Sequence, residues 1–432
     1  MNVMFKAVTF QILETKKANT LLESAKNDKI KKAKQIKGAF MKKKLLSILL
    51  FAAIVSSMLV GCGETKEAAT NAPTTTDTPK LESDDSLEGV HIFMFKSTGN
   101  SFGNLMYEGF AEYMSAKGEK TANKSPDEIT VEALVEILEE LISQKVASIT
   151  ISTNGENGYD EVFKKAKESG IPIVSVDSEV NPAYRVCHID QVDTSHIGSY
   201  LIQAAVLITL GIDYPGDILS MKCVVEDALT NYSGKEIQLG ILSASVDTPI
   251  QNAWIVAMEE ELSDACYAGK VSATLDIKYG NDDPIESTTE AYSFVVENKV
   301  DCIIAPTTVG IAAAGNVLKN SDSHIKLTGL GLPSEMQSFM PATPEDNALD
   351  FICPYMMLWD VIHLGATAGA ATYVAVYDGF TGEIGTTFKM DAFRDYAPKT
   401  YEAYKSGEGT AILADIPYVF YKYNMAEWND VL

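Results

Sequence analysis

From Val90 to Leu330 the chain alternates short apolar runs with longer stretches of helical periodicity, and it runs through that alternation twice. In the first series, Val90–Phe95, Val146–Ser152, Pro172–Asp177 and Tyr184–Asp190 read as strands. Between and after them, Ser101–Lys117, Asp127–Gln144, Tyr159–Ser169 and Ser195–Leu210 read as helices. Val131, Leu134, Val135, Leu138 and Leu141 recur at the spacing of one helix face. The second series places strands at Gln238–Ser245, Ala273–Tyr279, Asp301–Thr307 and Ile325–Leu330, with helices at Pro249–Cys266, Pro284–Asn298 and Ile311–Asn320. Strands separated by helices of this length cannot pair as hairpins. They form parallel sheets covered on both faces, so the expected fold class is α/β with two doubly wound lobes. In such sheets ligands bind beyond the carboxyl ends of the strands, and two facing lobes put that site in the cleft between them. A late helix to Val374 and the tail strands Thr410–Ala414 and Tyr418–Tyr421 complete the pattern.

The region before Val90 is of another kind. Met41-Lys42-Lys43-Lys44 opens an apolar stretch from Leu45 to Val60, closed by Gly61-Cys62. A basic start, an apolar middle and small residues at the end make a secretory signal. The apolar stretch falls short of the roughly 20 residues a spanning helix needs. With cysteine at the cut, Leu59-Val60-Gly61-Cys62 resembles the bacterial lipoprotein signal. That resemblance implies cleavage before Cys62, a lipid on its sulfur and a folded domain held outside the membrane. Residues 1–40 are then either a cytoplasmic extension or a stretch upstream of the true initiator, and 41–61 the signal peptide. Residues 62–87, rich in Thr, Ala, Pro and acids, read as anchor and flexible tether.

Charge excludes several partners. The chain carries a formal −24, the Lys-rich first 61 residues contribute +9, and the remainder is therefore −33. Nucleic-acid phosphates and anionic lipid surfaces both require Lys and Arg, so neither is expected to bind the folded part. Five cysteines follow Cys62, at 187, 223, 266, 302 and 353, with no C-x-x-C pair and no histidine cluster, which argues against a zinc site. Cys187 and Cys302 lie in apolar strand runs and read as small buried hydrophobes. Nothing in the spacing selects a disulfide.

Particular motifs add a family resemblance over about residues 88–430. Pro172-Ile-Val-Ser-Val-Asp177, Ile303-Ile304-Ala305-Pro306, Gln251-Asn252-x-Trp254, Leu358-Trp359-Asp360-Val361 and Pro417-Tyr-Val-Phe420 with Asn424 occur in the order seen in type I periplasmic-binding proteins. Within that family they resemble the rhamnose and autoinducer-2 binding branch. The resemblance implies two Rossmann-like lobes joined by three hinge crossovers, near 191–194, near 331–334 and within 349–359. It assigns 88–191 plus 334–375 to the first lobe, 195–330 to the second and 376–432 to tail strands near the hinge. It also implies a monomeric substrate-binding component of an ABC importer with a membrane permease as partner, a small sugar or polyol as ligand and no cofactor.

The candidate ligand residues follow from the same reading. Lys96 and Asp177 each end a strand; a Lys in the first position contacts ligand in autoinducer-2 binders, and a carboxylate in the second accepts hydroxyls. Their alternatives are a surface cation and an N-cap. Gln251 and Asn252 open a helix of the second lobe, where amides suit hydroxyls or cap the helix. Pro306 offers backbone, and Thr308 places a hydroxyl where the branch carries alanine. Ile250 stands where the branch carries Asp, which counts against autoinducer-2 itself. Asn154 is a contact or a turn former beside Gly155. Trp359 supplies a stacking platform or hinge packing, and Asp360 a hydroxyl acceptor. Phe102, Phe339 and Tyr355-Met356-Met357 are candidate apolar walls or core. No G-x-S-x-G, H-E-x-x-H or Walker A motif is present and the five histidines are scattered, so the chain is not expected to be an enzyme. Two other functions share the cleft: a receptor passing the closed form to a kinase or chemoreceptor, and, more remotely, an exported hydrolase.

Overall fold

The computed structural model describes residues 86–153, 155 and 157–432. Cys62, the signal and tether assignments and Asn154 lie outside the described residues.

The first series begins with β1 (His91–Met94), α1 (Ser101–Ala116), β2 (Thr121–Asn123), α2 (Val131–Ser143), β3 (Ser148–Ile151), α3 (Asp160–Glu168), β4 (Ile173–Val176) and β5 (Cys187–Asp190). These strands lie in the order β2-β1-β3-β4-β5 and all pair in parallel. The second series comprises α4 (Thr194–Thr209), α5 (Met221–Thr230), β6 (Leu239–Ser243), α6 (Pro249–Leu262), β7 (Asp276–Tyr279), α7 (Pro284–Glu297), β8 (Cys302–Ala305), α8 (Thr308–Lys319) and β9 (Lys326–Gly329). Its sheet runs β7-β6-β8-β9, again parallel throughout. Both sheets thus start from an interior strand, step outward once and then reverse, which is the doubly wound pattern with a crevice at the reversal. Their interior strands are buried on every residue, as the unbroken apolar runs required.

Helix starts show where local chemistry overrides periodicity. The helix expected from Asp127 begins at Val131, because the Thr130 hydroxyl accepts from the Ala133 N–H at 3.2 Å and caps it there. Asp127 instead accepts a hydrogen bond from the Thr98 hydroxyl. The helix expected from Ile311 begins three residues earlier, with Thr307 in extended conformation as its N-cap residue. The Met221–Thr230 helix is not among the expected elements: it buries only Met221, Val225 and Leu229, and its cap makes no side-chain bond.

After α9 (Pro333–Met336) the chain reaches β10 (Met356–Leu358) and α10 (Val361–Tyr377), then β11 (Thr387–Met390), β12 (Lys399–Glu402), β13 (Tyr404–Ser406), β14 (Gly409–Leu413), β15 (Tyr418–Phe420) and α11 (Met425–Trp428). Two expectations change here. Residues 331–353 stay with the second sheet: α9 packs on α8, Phe339 fills the space beside Gly315, and Leu327 N–H donates to Ile352 O. The passage expected near 331–334 is therefore absent, and another runs through Ala414–Pro417, between β14 and β15. β14 extends the first sheet beside β5 and β13 pairs antiparallel with β14, whereas β15 pairs with β10. The tail is thus built into the first sheet as well as lying near the crossing strands.

α10 is apolar nearly all round and is buried from Val361 through Thr372. It packs closely on α1 because glycine faces backbone on both sides: a Cβ at Gly109 would lie 1.8 Å from Ile362 O, and one at Gly365 1.8 Å from Met106 O. Cys187, Cys302 and Cys353 are buried, and all five described cysteines are unpaired. Among the described residues no helix is long and apolar enough to cross a membrane.

Candidate ligand-binding site

The carboxyl ends of the two sheets face a common cleft. At its inner end is a narrow cavity of about 30 Å3, or about 370 Å3 of empty space once its open mouth is counted. The first series contributes Phe95 and Lys96 after β1, Asn100 and Phe102 at the start of α1, and Asp177 after β4. The second contributes Gln251 and Trp254 from α6, Asp282 after β7, Pro306 to Thr308 after β8, and Leu330 after β9. Leu358 and Trp359, leaving β10, lie between them.

Lys96 and Asp177 meet. Lys96 Nζ lies 3.0 Å from Asp177 Oδ2, and each side chain is 5% exposed. The Ser152 hydroxyl donates to the same oxygen at 2.8 Å and that of Ser178 approaches it at 3.5 Å. None of these bonds involves Oδ1. Asp177 takes φ +62°, a left-handed conformation that costs free energy in a residue with a Cβ. Such strain persists where surrounding structure imposes it, and it recurs at ligand clamps. Here it turns the carboxylate back under Lys96 at the end of β4.

On the other side, Asn281 and Asp282 are both left-handed, at φ +54° and +51°, and the Thr307 hydroxyl donates to Asp282 Oδ1. Gln251 is 5% exposed and its Oε1 has no partner among the described residues; the indole Nε1 atoms of Trp254 and Trp359 are likewise buried without one there. Buried polar groups are otherwise almost always bonded, and all three atoms belong to residues that line the cavity. The rings form a chain across the cavity: Phe102 stands edge-on to Trp359 at 6.1 Å, and Trp359 meets Trp254 at 6.0 Å.

Of the residues singled out from sequence, Lys96, Asp177, Gln251, Pro306, Thr308 and Trp359 line this cavity. Asn252 does not; its Nδ2 donates to Val246 O at 2.9 Å, closing the loop before α6. Asp360 does not either. Its Oδ1 accepts from the His363 N–H as the cap of α10, and its Oδ2 accepts from the Tyr396 hydroxyl, both at 2.9 Å. Phe102 is a wall, whereas Phe339 and Tyr355 are core. Trp254 and Asp282 were missed as lining residues. Asp282 had the same signal as Asp177, a carboxylate just beyond a strand's carboxyl end.

Comparison with known proteins agrees with the fold. The periplasmic binding protein domain matches residues 91–378. An ABC transporter solute binding protein from Clostridium phytofermentas, solved with bound L-rhamnose, is 29% identical, with 80% of this chain and 99% of that one covered and a TM-score of 0.67. LsrB from Clostridium saccharobutylicum, solved in complex with AI-2, is 18% identical over 78% of this chain and 99% of its own, with a TM-score of 0.65. An ABC transporter solute binding protein from Burkholderia graminis, solved with D-arabinose, is 17% identical over 80% and 99%, with a TM-score of 0.57. The last two share the fold.

Proposed function

The chain belongs to the periplasmic binding protein domain family, and we propose that within it this protein is the solute-binding component of an ABC importer, capturing a monosaccharide or similar polyol in the cavity between its lobes. The observation that carries this reading is the set of buried atoms without partners among the described residues, Gln251 Oε1, Trp254 Nε1 and Trp359 Nε1, in the same cavity lining as the Lys96–Asp177 pair. Together they offer donors and acceptors from both lobes to one small molecule, so its binding favours the closed form. Phe102, Leu330, Leu358 and the two indoles give the cavity apolar walls as well. A sugar with a methyl group in place of one hydroxyl, a 6-deoxyhexose, fits that mixture, and the Clostridium phytofermentas relative was solved with one, L-rhamnose.

The protein acts by binding, without catalysis, outside the cytoplasm. Lipid on Cys62 holds it at the membrane, and the closed form delivers its cargo to a permease. Isothermal titration against pentoses, hexoses, 6-deoxyhexoses and autoinducer-2 tests the ligand class: one-to-one saturation by a 6-deoxyhexose is expected. Folded protein that is silent across the panel contradicts the reading. Mass spectrometry of the membrane-extracted protein tests the anchor, which predicts a diacylglyceryl-modified Cys62 as the first residue.

A further inference from the structure

The sugar-binding reading leaves open which sugars the site refuses, and the charges around it bear on that. Inside the cavity the only described cation is Lys96, and it is already matched: its Nζ lies 3.0 Å from Asp177 Oδ2, with both side chains 5% exposed. Asp282 adds a second carboxylate to the same wall. The donors left without partners, the two indole N–H groups, are neutral. An anionic guest would therefore find no unmatched cation. Binding it would require either breaking the Lys96–Asp177 pair or burying one more negative charge beside two others.

The approach to the cavity has the same sign. The outer cleft carries Asp127 and Glu128 on one side and Asp247, Asp282, Asp283 and Glu286 on the other, and no Lys or Arg is among its described lining residues. Four of these carboxylates accept from neutral donors: the hydroxyls of Thr98 and Thr307, the Asn281 amide and backbone N–H groups. Those bonds leave their formal charge in place. A cleft lined by one sign of charge between low-dielectric walls concentrates its field, favouring some solutes and repelling others.

We infer that this protein selects against anionic ligands: it takes uncharged sugars and rejects their aldonate, uronate and phosphate relatives, through the matched Lys96–Asp177 pair inside and the acidic cleft outside. This rests on the sugar-binding reading above. The test takes the neutral sugar that binds tightest to the purified full chain and compares it with its own C1 acid at two salt concentrations. The acid is expected to bind at least about tenfold more weakly. High salt narrows the gap only in part, because it screens the exposed cleft and not the buried pair. Asp177→Asn, which uncovers the Lys96 charge, narrows it further, and Asp282→Asn does so in the same direction. An acid that binds as tightly as its parent sugar overturns the inference while leaving the sugar-binding reading intact. A gap that neither variant moves also overturns it, because discrimination would then be one of shape. Silence from every sugar overturns the sugar-binding reading and this inference with it.

Discussion

Asp177 holds Lys96, Ser152 and Ser178 on one carboxylate oxygen, in a backbone conformation that costs free energy. Removing one partner from a buried ion pair strands the other. Lys96→Met is therefore predicted to abolish sugar binding and to cost about 3–5 kcal/mol of stability. Adding Asp177→Asn should restore most of the stability, since Asn still accepts from Ser152, without restoring binding. Denaturant unfolding of the two variants checks this. A second residue makes a pH prediction. Burial pushes the Asp190 carboxyl from 3.8 up to about 7; Glu179, Asp193 and Asp177 add to the push and the Tyr404 hydroxyl opposes it. Between these values the folded protein keeps a proton that the unfolded chain has released, so stability falls as pH rises through the window and levels off above about 7. Asp190→Asn removes that slope and should be more stable than the native protein at pH 8, by up to about 4 kcal/mol. Melting temperatures followed from pH 4 to pH 8 check it; parallel curves for the two proteins contradict it. Position at a strand's end makes Lys96 and Asp177 legible in the sequence, and Asp282, just beyond β7, has the same signal. Asn252 and Asp360 do not line the cavity: a polar side chain at a helix start is equally suited to a ligand and to a local bond, and here the Val246 carbonyl and the His363 N–H engage them.

Helix α6 carries both Gln251 and Trp254, and its seat is a glycine on α4. A Cβ at Gly198 would lie 2.6 Å from Trp254 O, 2.7 Å from Met258 N and 2.5 Å from Ala257 Cβ. Gly198→Ala must therefore move α6 and is predicted to weaken ligand binding as well as costing about 1–3 kcal/mol. The α1–α10 crossing offers a graded comparison. A Cβ at Gly365 would lie 1.8 Å from Met106 O, while one at Gly369 has its nearest neighbour, Phe110 O, at 3.3 Å. Gly365→Ala should lower the melting temperature far more than Gly369→Ala; equal effects would contradict the close approach. Most strands and helices were legible because their apolar spacing is long and regular. What escaped lay in short or weakly patterned segments: β2 is three half-buried residues, and Met221–Thr230 buries only one residue per turn. The tail escaped for a different reason. Gly409–Leu413 was visible as a strand, but its pairing with Cys187–Asp190 joins residues more than two hundred positions apart, and periodicity carries no information about partners.

Two sheets of matching strand order, joined by passages at 191–193, 358–360 and 414–417, place the cavity where both lobes and the crossing strand contribute. The ring chain from Phe102 through Trp359 to Trp254 spans that junction. Ligand should therefore close the lobes and shrink the radius of gyration in solution scattering. The same event should alter the fluorescence of Trp254 and Trp359, while Trp428 packs against Tyr418 and Phe420 in the tail. The change should survive Trp428→Phe and shrink in Trp359→Phe, where Trp254 alone reports it. The most direct test is isothermal titration of the purified full chain with L-rhamnose, native protein against Lys96→Met and Gln251→Ala, one substitution on each side of the cavity. One-to-one binding weakened at least about tenfold by either substitution, the loss of one strong buried hydrogen bond, is the predicted result. Binding that neither substitution changes, or none to any sugar of the panel, would contradict a ligand held between the lobes.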